Sequence, residues 1–216
     1  MCGRFITASS AEKIAATFAV PNLAAFEAND DIRPSTLIAV IALKQDGLTR
    51  GLARLRWGLV PHWSQTDKPK HVPINIRSES ALDKFGHQVR HNRCLIPADG
   101  FFEWSGEKKK KRKYLISMRD GSPFAFAGVW DVWQGDKQKL VTCAFLTTGP
   151  NDLIRSYHDR MPVIVPPTSY GEWLDHGTPI ARIETLFEPD PAELMRVVDV
   201  TTDGPGREDQ PSLFAA

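Results

Sequence analysis

Met1-Cys2-Gly3-Arg4-Phe5-Ile6-Thr7 opens the sequence and joins a reactive residue directly to a strand-forming segment. Because cysteine is small, methionine aminopeptidase is expected to remove Met1 and leave Cys2 as the amino terminus. The residues from Phe5 to Thr7 are aromatic or β-branched, which is typical of a strand. The segment therefore predicts a nucleophile attached to the start of a strand.

A terminal cysteine carries two nucleophiles on adjacent carbons, an α-amine on Cα and a thiol on Cβ. The pKa of an α-amine is about 7.7 and that of a lysine amine is about 10.4, so roughly 400-fold more α-amine is neutral at pH 7. The amine can condense with an aldehyde to a Schiff base, and the thiol can then close a thiazolidine ring. Gly3 leaves space beside this group, and Arg4 supplies a positive charge that suits a phosphate. The alternative is that Cys2 lies in a short tail and has no function.

The composition predicts a globular chain of one domain. The 216 residues are 42% hydrophobic and 25% charged, with a formal net charge of +1 that does not by itself predict nucleic-acid binding. Three cysteines, Cys2, Cys94 and Cys143, form no CxxC motif and no even set, which indicates a reducing compartment. We find no signal peptide and no run of ~20 apolar residues, so we expect a cytoplasmic protein without membrane contact.

Hydrophobic patterning and turn signals predict a single α+β domain rich in strands. Strands are predicted at residues 37–43, 48–57, 93–97, 101–104, 114–118, 124–133, 139–148 and 163–165, with a turn at Asp99-Gly100. A first helix is predicted from a Ser9–Glu12 capping box to Phe18. A second, short helix is predicted to end at about residue 85, and further helices are predicted at 151–157, 169–174 and 191–197. The domain is expected to span residues 1–201, and residues 202–216 to form a loose tail.

Two residues are candidates for proton transfer. Glu103 lies between Phe102 and Trp104, where partial desolvation would raise its pKa and suit acid–base catalysis; alternatively, strand alternation points it to solvent. His158 precedes Asp159 and can act as a proton shuttle; alternatively, it is an exposed histidine paired with that aspartate.

Cations and flat rings suit the binding of single-stranded nucleic acid, the cations for the backbone and the rings for the bases. The candidates are Arg4, Arg77 and Arg160 with Trp57, Trp63 and Trp104, and core packing is the alternative for the tryptophans. The basic run 108–113 is interpreted as a solvated hairpin tip that can extend a basic groove. His87, His91 and Cys94 lack a fourth zinc ligand at suitable spacing, so we expect no metal site and no cofactor.

The sequence resembles the SRAP family, the SOS-response-associated peptidases or abasic-site-processing proteins, from Cys2 to about Thr201. The segments that carry the resemblance are Met1-Cys2-Gly3-Arg4-Phe5, Trp57-Gly58-Leu59-Val60-Pro61-His62-Trp63, Asn75-Ile76-Arg77-Ser78-Glu79, Arg93-Cys94-Leu95-Ile96-Pro97, Gly100-Phe101-Phe102-Glu103-Trp104, Ala127-Gly128-Val129-Trp130 and His158-Asp159-Arg160-Met161-Pro162.

The resemblance implies twisted, mostly antiparallel strands around a basic cleft with the cysteine at its floor. It also implies binding of abasic sites in single-stranded DNA and covalent cross-linking through the terminal cysteine as a thiazolidine. Family members are also described as autopeptidases that release their own leading residue. We therefore expect single-stranded DNA with abasic sites as the partner of a monomeric protein, associated with the nucleoid when bound.

Carried over by position, the resemblance makes Cys2 the nucleophile, Glu103 the acid–base group for opening the sugar and for the amine, and His158 an assistant in proton transfer. The expected DNA-binding residues are Arg4, Asn75, Arg77, Thr147, Arg160 and Trp63.

One site residue departs from the family pattern. Asp31 stands three residues before Pro34, where the family usually has asparagine. An ionised aspartate only accepts hydrogen bonds and repels a phosphate, so we expect Asp31→Asn to speed cross-linking, most at higher pH. In the alternative, the loop shifts and Asn29 takes over.

Two rival functions remain. Class II glutamine amidotransferases also begin Met-Cys-Gly, but the glutamine-binding motifs that they need early in the chain are not found here. A non-catalytic single-strand-binding module would leave Cys2 inert.

Overall fold

The computed structural model describes residues 2–21, 26–107, 110–136 and 138–201, so the predicted tail 202–216 and part of the basic run lie outside the described residues. Strands among the described residues are β1 (Phe5–Thr7), β2 (Asn29–Ile32), β3 (Leu37–Leu43), β4 (Arg50–Trp57), β5 (Asn75–Arg77), β6 (Arg93–Ala98), β7 (Gly100–Ser105), β8 (Arg112–Met118), β9 (Phe124–Gln134), β10 (Lys139–Thr148), β11 (Met161–Pro162), β12 (Ile164–Val165) and β13 (Met195–Asp199). The α-helices are α1 (Ala11–Phe18), α2 (Ala81–His91), α3 (Tyr170–Leu174) and α4 (Ile180–Glu184). The predicted β-rich α+β domain is confirmed.

Most strand pairs are antiparallel, and they form two sheets. One sheet has the order β13-β8-β7-β1-β2. In the other, β10 pairs in parallel with β4 and antiparallel with β9, which closes β10-β4-β3-β6-β9 into a barrel-like ring. Strand β5 pairs in parallel with β10 and so reaches the end of the barrel.

An aromatic cluster inside the barrel fixes the N-terminal strand. The Phe5 ring centroid lies 5.2 Å from that of Trp57 and 5.5 Å from that of Phe126, and Phe126 stacks on Phe145 at 4.6 Å. All four side chains are buried. Burying an aromatic ring of this kind contributes roughly 1.5–3 kcal/mol, so Phe5 anchors the segment that carries Cys2. Trp57 is therefore a core residue, and its interpretation as a stacking platform was wrong.

Asp99 explains one departure from the predicted elements. Its carboxylate accepts hydrogen bonds from the backbone N–H groups of Ala8 and Ser9 and from the Ser9 hydroxyl. Because Ser9 is used in this way, the cap of α1 is Ser10, whose hydroxyl accepts from the Lys13 N–H at 3.3 Å, and the predicted capping box at Ser9 was wrong. At the predicted turn Asp99-Gly100, the chain passes from one sheet to the other.

The predicted helix at 191–197 was also wrong. Only residues 192–194 form a helical turn, and Met195–Asp199 pairs with β8 in the register Met195↔Met118 to Asp199↔Tyr114. The β-branched pair Val197-Val198 suits a strand, and the long-range ladder overrides the weak helical pattern.

Candidate active site around Cys2

Cys2 lies at the junction of the two sheets and is 1% exposed. Its backbone carbonyl accepts a hydrogen bond from Asn75 Nδ2 at 2.8 Å, and its thiol points to the Arg4 carbonyl at 3.6 Å. Burial, with the nearby Glu103 carboxylate, raises the pKa of the Cys2 thiol far above its usual range. A thiol in this position stays protonated at neutral pH and needs a base before it can attack.

Asn75 is positioned by β5 and holds Cys2 in place. Its neighbour in the parallel ladder is Phe145, a member of the aromatic cluster, so the position of the amide is tied to the core. The amide nitrogen of Asn75 binds Cys2, whereas its Oδ1 is buried and has no hydrogen-bond partner among the described residues. A buried acceptor in this state favours a donor supplied by an amine or a hydroxyl.

Glu103 lies on β7 and is 3% exposed. Burial raises the pKa of this carboxyl to about 7, with a further contribution from the charge of Asp159. The carboxyl therefore changes charge near neutral pH, as an acid–base catalyst does. The alternative in which strand alternation turns Glu103 to solvent is excluded by its burial.

His158 is half-buried at the end of the loop that follows Asn151. The Arg160 N–H donates to its Nδ1 at 3.0 Å, which places the proton of the neutral ring on Nε2. Burial lowers the pKa of His158 and favours this neutral form. The Asp159 carboxylate lies 2.8 Å from the same Nδ1 and is 82% exposed, so it is placed to stabilise the ring when it takes up a second proton.

Arg160 and Thr147 are held inside the protein. The Arg160 guanidinium forms a two-pronged ion pair with Glu79 and also donates to the Thr147 carbonyl, and its side chain is only 10% exposed. Thr147 is fully buried on β10, with its hydroxyl 3.4 Å from the Ile76 carbonyl. These contacts join β5, β10 and the His158 loop; contact of Arg160 and Thr147 with DNA stays a prediction.

Asp31 binds the arginine that was predicted to contact phosphate. Its carboxylate accepts from Arg4 Nε and from Arg33 Nη2 and Nε, while Asn29 Oδ1 accepts from the Asp31 N–H at 2.8 Å. The hydrogen bonds from Arg33 and then from Arg4 lower the pKa of Asp31 to about 2. Asp31 is thus ionised throughout pH 6–8, so any gain from Asp31→Asn should be the same across that range, contrary to the pH dependence expected from the sequence.

Sequence reasoning did not place three residues next to Arg4. The Lys113 ammonium lies 3.8 Å from the Phe102 ring centroid, and Arg4 approaches the same ring at 5.7 Å. Arg33 is the third, in the ion pair with Asp31. In the register of β7 and β8, Lys113 lies opposite Trp104 and so on the same face as Phe102, whereas the pairing of β1 with β2 and β7 becomes visible only in the fold.

The remaining candidates lie at the protein surface. Arg77 is exposed on β5, and the Trp63 side chain, on the loop after β4, is 65% exposed. Trp104 is half-buried and 6.3 Å from Phe102, centroid to centroid. Trp63 is the predicted stacking residue most open to solvent among these tryptophans.

Neither a metal cluster nor a membrane helix is found in the described part of the chain. No group of three or more histidine, cysteine, aspartate or glutamate side chains within it is arranged to hold a metal ion. Cys94 is fully buried on β6, whereas His91 is exposed on α2. No helix in those residues is long and apolar enough to cross a membrane.

The fold and site define a class of β-rich proteins in which a cysteine in second position is held beside an asparagine and a carboxyl of raised pKa. The chain matches the family model of the SOS response associated peptidases (SRAP) over residues 1–203, and it belongs to that family.

Curated relatives carry a common name. The chain is 34% identical over 211 residues to the abasic site processing protein YoqW of Bacillus subtilis strain 168, covering 94% of this chain and 93% of the relative. It is 27% identical over 184 residues to the abasic site processing protein YedK of Escherichia coli K12, covering 81% and 79%.

Solved structures share the fold. A protein from Bordetella bronchiseptica superposes with a TM-score of 0.81 at 27% identity, covering 93% of this chain and 100% of that one. A protein from Bacteroides thetaiotaomicron superposes with a TM-score of 0.83 at 22% identity, covering 94% and 93%.

Proposed function

We propose that this protein binds abasic sites in single-stranded DNA and cross-links to them through Cys2 after Met1 is removed. The observation that carries the proposal is the buried Cys2 held by Asn75 next to Glu103, a carboxyl with a pKa of about 7. The name shared by the curated relatives supports abasic DNA as the substrate.

The chemistry follows from two nucleophiles and one proton carrier. The ring-opened abasic sugar presents an aldehyde at C1′, and the neutral Cys2 amine adds to it to form a carbinolamine. Glu103 gives its proton to the departing hydroxyl, so one water leaves and a protonated imine and the Glu103 carboxylate remain. The carboxylate then accepts the thiol proton, the sulfur adds to the carbon of the protonated imine, and the C=N electron pair moves to nitrogen, so the thiazolidine forms with a net loss of one water.

A denaturing gel tests this proposal against its rivals. The full chain is incubated with a single-stranded oligonucleotide that contains one abasic site and, as a control, with the same oligonucleotide without it. A heat-stable adduct on the abasic strand alone is expected. Glutaminase activity without an adduct would support the amidotransferase reading, and reversible binding alone would support an inert binding module.

The salt dependence of binding measures the proposed phosphate contact of Arg77. We expect Arg77→Ala to flatten the log–log slope of affinity for single-stranded DNA against salt by about 0.7, the value for one phosphate contact. Fluorescence anisotropy at several salt concentrations gives the slope. Arg155→Ala removes one exposed arginine outside the proposed site and serves as the matched control. Equal slopes for wild type and Arg77→Ala would assign Arg77 a structural role.

His158 is expected to act in both directions of the reaction. Because its neutral ring carries a proton on Nε2 and can accept a second one, His158→Ala should slow both adduct formation and reversal, by about 10-fold or more. Formation is followed on gels, and reversal by transfer of the protein to a competing abasic strand. A variant that is slow in only one direction would contradict a shared proton carrier.

A further inference from the structure

We propose that Arg33 and Arg4 form a phosphate subsite that the Asp31 carboxylate occupies in the free protein, as an internal stand-in for a DNA phosphate. The inference rests on the proposed function for the identity of the ligand, and it adds Arg33 as a phosphate contact and Asp31 as the group that competes with DNA.

The ion pair has the geometry with which arginine binds oxyanions. Arg33 donates to both carboxylate oxygens of Asp31, from Nη2 to Oδ2 at 2.6 Å and from Nε to Oδ1 at 3.1 Å, and Arg4 Nε donates to Oδ1 as well. The planar guanidinium fork matches carboxylate and phosphate equally well. Two guanidinium groups that converge on one carboxylate are therefore also preorganised for a phosphate.

The subsite is open to solvent. The side chains of Arg33, Asp31 and Arg4 are 61%, 34% and 26% exposed. Ion pairs with this exposure contribute little to stability, so a strand of DNA meets only a small barrier when it displaces the carboxylate.

The surroundings suit a nucleic-acid strand that continues away from Cys2. Arg4 directly precedes strand β1, which lies between β2 and β7, while Lys113 on β8 covers the ring of Phe102. Burial, followed by the neighbouring charge of Arg4, lowers the pKa of Lys113, which is consistent with several cations packed close together. Three cations and an aromatic ring grouped around Arg4, two positions after Cys2 in the chain, are features of single-strand binding sites.

Removing the internal carboxylate should therefore strengthen binding. Repulsion between Asp31 and a phosphate about 4 Å away corresponds to about five-fold in affinity in water. Asp31→Asn should bind about five-fold more tightly than wild type, with a salt slope steeper by up to about 0.7. Arg33→Gln should weaken binding and flatten the slope by about 0.7.

The test uses the full chain and a labelled oligothymidylate without abasic sites, so that affinity is measured apart from cross-linking. Asp30→Asn is the matched control, because Asp30 is exposed on the same strand and its loss changes the net charge equally. A second arm titrates inorganic pyrophosphate while the arginine Nε–H signals of Arg4 and Arg33 are followed by NMR. We expect these signals to shift at about five-fold lower pyrophosphate concentration in Asp31→Asn than in wild type.

The outcomes separate this subsite from the proposed function. If Asp31→Asn binds no more tightly than Asp30→Asn, or if Arg33→Gln matches wild type, the subsite is refuted even when the abasic adduct forms normally. If wild type forms no abasic adduct but the Arg33 signal responds to pyrophosphate as described, the subsite stands and the proposed reaction fails. Weaker binding by Asp31→Asn would show that Asp31 only positions the arginines and would overturn the proposal.

Discussion

Cys2→Ala is expected to abolish the heat-stable adduct with abasic single-stranded DNA. The change removes the thiol that closes the ring, so at most a Schiff base can form. Cys2→Ser keeps the amine and loses the thiol, and it should give an adduct only after borohydride reduction. Retention of Met1 should have the same effect as loss of the thiol, because the Cys2 nitrogen is then part of a peptide bond and the free amine belongs to Met1, from which the thiol cannot close a five-membered ring.

A matched control separates the role of Cys2 from general loss of a thiol. Cys143 is fully buried on β10, with its thiol near the Arg56 carbonyl. Cys143→Ala should still form the heat-stable adduct, although the small cavity left in the core lowers the stability of the folded protein. A heat-stable adduct formed by Cys2→Ala, on gels that resolve bound from free strand, would refute the proposed chemistry.

Glu103→Gln should slow cross-linking by about 10²-fold, because it keeps the shape of the side chain and removes its capacity to exchange protons. The wild-type rate should show an inflection near pH 7, where the Glu103 carboxyl titrates, and the variant should lack it. Quenched gel time courses, taken at intervals of about half a pH unit between about pH 5.5 and 8.5, measure the rate of cross-linking and its inflection with pH. Glu107→Gln changes an exposed glutamate beyond the end of β7 and is the control.

The same variant should be more stable than wild type at high pH. The pKa of Glu103 is about 7 in the folded protein and about 4.3 in an unfolded chain. Its contribution to stability is therefore fully present below about pH 4.3 and is lost as the pH rises through 7. Glu103→Gln should melt several degrees above wild type at pH 8 and at the same temperature near pH 4. Equal melting temperatures at pH 8 would contradict burial of an ionising carboxyl.

Local patterns in the sequence predicted most strands because strand alternation and turn residues act over short distances. The exceptions depend on distant partners. Met195–Asp199 forms a strand because it pairs with the edge of β8. The Ser9 hydroxyl does not cap α1 because it donates a hydrogen bond to Asp99, which lies 90 positions later in the chain.

The site was predictable in its residue types but not in its connections. Glu103 between aromatic residues was predicted to be desolvated, and its burial confirms this. The binding of Arg160 to Glu79 and of Asp31 to Arg4 depends on how segments from distant parts of the chain meet. Neither ion pair follows from spacing, so the sequence could supply charges without showing which of them are already paired.

Mass spectrometry of the adduct tests the central claim most directly. Wild-type protein is incubated with an abasic single-stranded oligonucleotide without borohydride, and the masses of the intact adduct and of its N-terminal peptide are measured. The thiazolidine predicts the mass of the chain without Met1 plus the oligonucleotide minus one water, with the sugar remnant on the peptide that begins at Cys2. An adduct that appears only after reduction, or that maps to a lysine, would contradict the account.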